Sequence, residues 1–140
     1  MAFNRIYVSD EVDQRLRLLK TRTGLTPNLL CRLGFCLSIV EQGIPDPRLY
    51  AEDQVREFNR LTLTGQWDML FFALLCERLV QDGLNPETDL EVYFKAHLSR
   101  GILMLYQRLK SLEDLADLVI ETQQRVKGRY PDLMFEMLND

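Results

Sequence analysis

The sequence predicts a mainly α-helical fold, a compact helical domain with one small two-stranded ribbon and an internal pseudo-repeat. Three observations carry this. Phe3-Asn4-Arg5-Ile6-Tyr7-Val8-Ser9 returns as Phe58-Asn59-Arg60-Leu61-Thr62-Leu63-Thr64, with Ile/Leu, Val/Leu and Ser/Thr in register. Gly24-Leu25-Thr26-Pro27-Asn28 returns as Gly83-Leu84-Asn85-Pro86-Glu87, in the same order along the chain. Between and beyond these blocks, apolar residues recur at helical spacing. The offset grows from 55 residues to 59 between the blocks, and four residues make about one helical turn. Two strand–helix–turn–helix units result, the second with one extra turn in its first helix. Facing each other across paired strands, they resemble a ribbon-helix-helix dimer folded from one chain.

The first element is a strand, because Asn4, Ile6 and Val8 alternate with Phe3, Arg5 and Tyr7. Ser9 or Asp10 caps the helix that follows, and Asp10 and Glu11 suit the positive end of its dipole. Val12, Leu16 and Leu19 form its apolar stripe, and Gly24 supplies the left-handed residue that stops it. Thr26 caps the second helix, with Pro27 at its first position; it runs to about Gln42 and ends at Gly43. Being apolar nearly all round, it is expected to be buried on most sides.

Ile44-Pro45-Asp46-Pro47 cannot continue a helix and marks a linker. A charged, helix-compatible stretch from Tyr50 to Glu57 leads into the second unit. There Leu61 and Leu63 take the inward strand positions and Arg60 and Thr62 the outward ones. Thr64 caps a helix with Trp67, Phe71 and Leu74 on its stripe. Gly83 ends it, and Asn85-Pro86 starts a helix with Leu90, Phe94, Leu98, Ile102 and Leu105 inward. Ser111, with Asp114 three positions on, opens a helix carrying Leu112, Leu115, Val119 and Ile120. Gly128 is expected to end it, and Pro131 to begin a tail helix with Leu133, Met134, Met137 and Leu138. A single domain of residues 1–140 is expected, divided as a first unit (1–43), a linker (44–57), a second unit (58–101) and C-terminal helices (102–140).

An apolar fraction of 46% is too high for a disordered chain. No apolar run reaches the length of a membrane span, and the N-terminus alternates instead of forming a signal peptide. Cys31, Cys36 and Cys76 are odd in number and sit in helical apolar patterns. They read as reduced, buried thiols of a cytoplasmic protein. The net charge of −4 argues against a general nucleic-acid binder, yet residues 1–40 carry +3 and the remaining hundred −7. A basic N-terminal module on an acidic body suits phosphate contact through one surface, and a solvated helix face with ordinary charge scatter is the other reading of the same charges.

Signatures of catalysis are sparse. The single histidine, His97, lies between apolar helical positions and reads as a satisfied core or interface residue. No phosphate loop, nucleophile elbow or closely spaced cysteine pair is present, and no metal or cofactor is expected. The Glu52-Asp53 and Glu113-Asp114 pairs read as capping and solubility. DNA contact has a physical basis in three parts. A two-stranded ribbon fits the major groove and would present Arg5, Tyr7, Arg60 and Thr62. The helix starts at Thr26, Pro27 and Asn28 and at Asn85 and Pro86 offer N–H groups to a phosphate. Arg17, Lys20 and Arg22 precede the first of these and supply charge. Asp82, Glu87, Asp89 and Glu91 surround the second, so contact is expected to be asymmetric and led by the first unit.

The stretch from Leu18 through Ser38, together with Gly43-Ile44-Pro45-Asp46-Pro47, Glu57-Phe58-Asn59-Arg60 and Gln81-Asp82-Gly83-Leu84, resembles the DndE family of DNA sulfur-modification proteins. The similarity runs from the first strand to about residue 100. It implies a role in phosphorothioation, in which sulfur replaces a non-bridging phosphate oxygen of DNA. A cysteine desulfurase, an iron–sulfur sulfurtransferase-like protein and an ATPase-like partner carry the evident chemistry of that system. The resemblance further implies a non-enzymatic, homo-oligomeric subunit, a tetramer being favoured, that binds nicked duplex DNA. Family basic residues before the Gly-Leu-Thr-Pro turn, here Lys20 and Arg22, are associated with that binding. The expected contacts are Lys20, Arg22, Arg17, Thr26 and Asn28, with Arg5 and Tyr7 on the ribbon. Two other readings stand beside this one: a sequence-specific repressor using Arg5 and Arg60, and a scaffold of the complex that does not bind DNA. A hidden nickase or sulfurtransferase would require an exposed, reactive cysteine among the three.

Overall fold

The alternation that buries Ile6 and Val8 while exposing Arg5 and Tyr7 makes the first strand, β1 (Arg5–Ser9). The computed structural model describes residues 3–51 and 54–129. After β1 come α1 (Asp10–Thr23), α2 (Pro27–Val40), a 3-10 turn (Pro47–Tyr50) and β2 (Gln54–Asn59). They are followed by α3 (Arg60–Thr64), a 3-10 turn (Gly65–Trp67), α4 (Asp68–Gln81), α5 (Leu90–Arg108) and α6 (Glu113–Arg129). β1 and β2 pair antiparallel within the chain, Ile6 opposite Phe58 and Tyr7 opposite Glu57. A ribbon, as expected, therefore ties the two halves together.

The ribbon's second strand is displaced. It starts at Gln54, inside the expected linker and in the stretch read as helix-compatible, and ends at Asn59. Residues expected to be strand, from Arg60 to Thr64, form α3 instead. The cause is local: the Asn59 side chain accepts the Thr62 N–H at 3.0 Å, a helix cap that competes with continuing the ladder. Leu63 is buried from this helix, whereas Leu61 is exposed.

In α1, the Ser9 hydroxyl accepts the Val12 N–H at 3.3 Å, and Val12, Leu16 and Leu19 are fully buried. α2 stops at Val40, two residues early, because arginines from the second half take up its terminal carbonyls. Arg78 donates to the oxygens of Ile39, Glu41 and Gly43, and Arg100 to those of Ser38 and Gly43. α2 is buried on most sides, as expected, with Leu29, Cys36 and Val40 exposed on its outer face. In the second half, Trp67 falls in a 3-10 turn and is half exposed, so the α4 core stripe is Phe71, Leu75 and Leu79. α5 buries Leu90, Phe94, Leu98, Ile102 and Leu105 as expected. It begins only at Leu90, because Asn85 accepts the Glu87 N–H and its own N–H goes to Asp89, folding the segment into a turn. In α6, the Asp114 carboxylate accepts the Lys110 and Ser111 N–H groups. That helix continues through Gly128 to Arg129, past its expected end. It buries Leu118 and half-buries Leu115, while Leu112, Val119 and Ile120 are half exposed. The tail helix expected from Pro131 and the Glu52-Asp53 pair lie outside the described residues.

The core is centred on α2 and α5. Phe35 lies 5.0 Å from Phe94 and 5.3 Å from Phe71, ring centre to ring centre, and Phe3 closes the cluster 5.7 Å from Phe94. The two helices approach backbone to backbone. A Cβ on Gly101 would stand 1.7 Å from the Gly34 carbonyl oxygen, and one on Gly34 2.9 Å from the Gly101 carbonyl carbon. A mid-helix glycine costs about 1 kcal/mol in helix propensity; here the cost is offset by helix contact that no other residue permits.

Candidate nucleic-acid interface

The turn after α1 sets up the first cluster. Gly24, at φ 76°, donates its N–H to the Lys20 carbonyl at 2.8 Å and reverses the chain. α2 departs at 109° to α1. Thr26 caps it: its hydroxyl accepts the Leu29 N–H at 3.3 Å and its carbonyl the Leu30 N–H at 3.0 Å. Pro27 has no N–H, so Asn28 is left with the free donor at the positive end of the helix. No acidic residue occupies the first turn of α2. Lys20, Pro27 and Asn28 line one cleft of ≈ 430 Å³ with Arg56, Glu57, Asn59 and Thr62. Lys20 has no carboxylate partner among the described residues.

The other expected contacts are dispersed. Arg17 is ion-paired with Asp13 at 3.0 Å, and the same buried carboxylate holds Arg56, also at 3.0 Å. Arg5 pairs with Glu57 at 3.0 Å across the ribbon. With Tyr7 it lines a separate groove of ≈ 480 Å³ against Glu91, Val92 and Lys95 of α5. The outer ribbon face therefore carries compensated charge. Arg22 lies away from the Lys20 cleft, stacked 4.4 Å above the Tyr106 ring of α5 with a hydrogen bond to its hydroxyl. Two residues apart on a helix, Lys20 and Arg22 point about 200° from each other. Arg60, expected on the ribbon surface, is buried. It bonds to Asp68 at 3.2 Å and to the Phe3 carbonyl, and stacks on the Phe3 ring. It serves the junction of β1 with α4, and base reading by Arg60 is ruled out in this conformation.

Sequence reasoning missed Arg56 and Asn59, which enter the cleft only through the displaced β2, and Tyr106, which meets α1 only in the tertiary fold. It placed His97 in the core, where Nδ1 shares a 2.8 Å hydrogen bond with the Ser38 hydroxyl, but Nε2 has no partner among the described residues, so the ring is only half satisfied. Burial, reinforced by Arg100 and Arg78, pulls the imidazole pKa down to about 4, so the ring is neutral at physiological pH. Cys31 is buried, and burial pushes its thiol up to about 12. Cys36 departs from expectation by being exposed, though desolvation raises its pKa too. A raised pKa disfavours the nucleophilic thiolate. Among the described residues, no three His, Cys, Asp or Glu side chains are grouped to hold a metal ion, and no single helix is long and apolar enough to cross a membrane.

Comparison with known proteins agrees with this architecture. Residues 5–113 match the family described as DNA sulphur modification protein DndE. The crystal structure of DndE from Escherichia coli B7A, involved in DNA phosphorothioation modification, superposes with a TM-score of 0.61 at 28% identity. That match covers 75% of this chain and 98% of the other. A DndE glycine-to-lysine double mutant involved in DNA phosphorothioation shares the fold, with a TM-score of 0.57 at 24% identity and the same coverage. No curated protein matches this chain. With most of its length inside that match, the chain belongs to the DndE family of DNA sulphur modification proteins.

Proposed function

We propose that the chain is a non-catalytic DNA-binding subunit of the phosphorothioation machinery, acting in the cytoplasm and gripping duplex DNA, nicked duplex above all, by its backbone phosphates. Family membership ties it to DNA sulphur modification. The observation that carries the DNA-binding reading is the Lys20 cleft. Lys20, with no carboxylate partner among the described residues, lines one polar groove with Asn28 at the start of α2, with Asn59 and Arg56, and with Glu57, whose carboxylate is held by Arg5. Such a set is suited to phosphate oxygens and carries no base code. Arg17 and Arg56 flank it, although Asp13 shares their charge. Association with itself, a tetramer being favoured, and with the other subunits would place several such clefts along one duplex and multiply modest affinity.

The sequence-specific repressor reading loses support, because Arg60 is buried and Arg5 faces Glu57. Replacing Lys20 by Glu tests the proposal. With folding verified by circular dichroism, affinity for random-sequence duplex is expected to fall and the salt dependence to weaken by about one phosphate contact. Unchanged affinity would remove the cleft from the interface.

A further inference from the structure

On the flank of α1 opposite the Lys20 cleft, three cations surround one aromatic ring. The guanidinium carbons of Arg15 and Arg22 lie 4.6 and 4.4 Å from the Tyr106 ring centre, and the Lys110 ammonium 5.2 Å from it. No two of these charges are then further apart than about 10 Å, the Debye length at 0.1 M salt, so they repel one another with little screening. Among the described residues, none of the three is paired with a carboxylate. The neighbouring Arg108, by contrast, is taken by Glu121. One guanidinium nitrogen, Nη1 of Arg22, is buried with no acceptor. A charged N–H removed from water without an acceptor is unfavourable. Among the described residues, the positive charge gathered at this ring is offset by the aromatic face and the phenol alone.

We propose that Arg15, Arg22, Lys110 and the Tyr106 hydroxyl form a phosphate-oxyanion site whose occupant is a phosphodiester of the DNA backbone. The choice of source rests on the DNA-binding reading above; the site itself does not. A tetrahedral oxyanion offers several acceptor oxygens to guanidinium forks and an ammonium, and all three cations lie within 5.2 Å of the Tyr106 ring centre. Arg15 and Arg22 are seven residues apart, two turns of one helix face, and Lys110 arrives from the end of α5. A duplex laid across the last turns of α1 meets this site on one flank and the Lys20 cleft on the other. The family match and the Lys20 cleft assign no role to Arg15, Tyr106 or Lys110.

Tyr106 is a built-in reporter. The Arg22 hydrogen bond, with the charges of Arg22, Arg15 and Lys110, holds its phenol below the ordinary pKa, although partial desolvation opposes this. Inorganic phosphate is titrated into the full chain at constant ionic strength set with chloride, with Tyr106 ring resonances followed by NMR. A saturable shift is expected, with the phenol pKa rising as the anion offsets the cations. Both effects should be lost in an Arg15→Gln/Lys110→Gln double variant whose amide spectrum stays native-like. A response that chloride reproduces, or one that survives in the double variant, overturns the site.

DNA supplies the second arm. Binding of random duplex by the double variant is expected to lose about one phosphate contact's worth of salt dependence relative to the unaltered chain. An unchanged salt slope overturns the duplex as the source while leaving the Lys20 cleft in place. If the unaltered chain binds no DNA at low salt, the function proposed above fails and the duplex fails with it as the source. The phosphate titration then still decides whether the oxyanion site exists.

Discussion

The chain builds the same turn twice and charges it oppositely. After α1 the reversal runs through Gly24 (φ 76°), Leu25, Thr26 and Pro27; after α4 it runs through Gly83 (φ 73°), Leu84, Asn85 and Pro86. In the first copy Thr26 caps α2 at once, and an unpaired Lys20 stands beside the helix start. In the second, Asp89 takes the Asn85 N–H, α5 begins only at Leu90, and Glu87 and Glu91 add negative charge. The arginines of the two halves diverge in the same way. Arg60, Arg78 and Arg100 of the second half hold carbonyls and carboxylates of the fold, whereas Lys20, Arg15 and Arg22 of the first have no carboxylate partner among the described residues, although Arg5 and Arg17 do. The backbone reversal is the same at both turns; under the proposed function, what sets the first apart is Lys20, which has no carboxylate partner among the described residues.

The largest effect is expected where the halves join. Gly101→Ala would drive a methyl into the Gly34 carbonyl and force α2 and α5 apart. A destabilisation of about 3 kcal/mol, the upper end of overpacking costs, should appear as a lower urea midpoint. Gly24→Ala strains only a positive-φ turn with open space around it, so a smaller loss is expected there.

Acid should loosen the same junction. His97 has its pKa held at about 4 in the folded chain against 6.5 when unperturbed, so the unfolded chain binds the extra proton first. Stability contributed by the neutral ring is complete above pH 6.5 and is lost as pH falls toward 4. The loss is at most about 3 kcal/mol. Denaturant midpoints measured across that window should fall in the unaltered chain and flatten in His97→Gln. Equal slopes would assign the acid sensitivity to other groups.

Changes at the two turns probe the charge contrast itself. Lys20→Glu is expected to weaken duplex binding by roughly 10- to 100-fold, as for loss of a charge-assisted hydrogen bond worth ~1.5–3 kcal/mol. Glu87→Lys, at the position of the second turn that matches Asn28 in the first, should strengthen it only about twofold, a surface-charge effect of ~0.5 kcal/mol or less. A gain at Glu87 as large as the loss at Lys20 would mean that the second turn also touches DNA.

Much of this was legible in the residues. Gly24, Thr26 and Pro27 act through neighbours two to four positions away, so turn and cap could be read directly, as could the stripes of α1 and α5. The β2 register could not. Of its residues only Phe58 is buried, so no alternation marked the strand, and the Asn59 cap ends it where the repeat suggested it should begin. The site was half legible for a related reason. Lys20 and Asn28 share a cleft through a turn visible in sequence. The companions of Arg22 are 84 residues or more away at Tyr106 and Lys110 and meet it only through the crossing of α1 with α5. Gly34 and Gly101 left one usable sign, since a glycine inside an otherwise strong helix calls for a packing reason.

The most direct test of the central claim is a titration of the pure chain against intact, nicked and single-stranded DNA of random sequence at two salt concentrations. Backbone gripping by cations predicts binding that varies little with sequence and weakens steeply with salt, and the proposed function adds tighter binding to the nicked duplex. Failure to bind any of the three at low salt would contradict it and leave the chain an assembly subunit of the machinery.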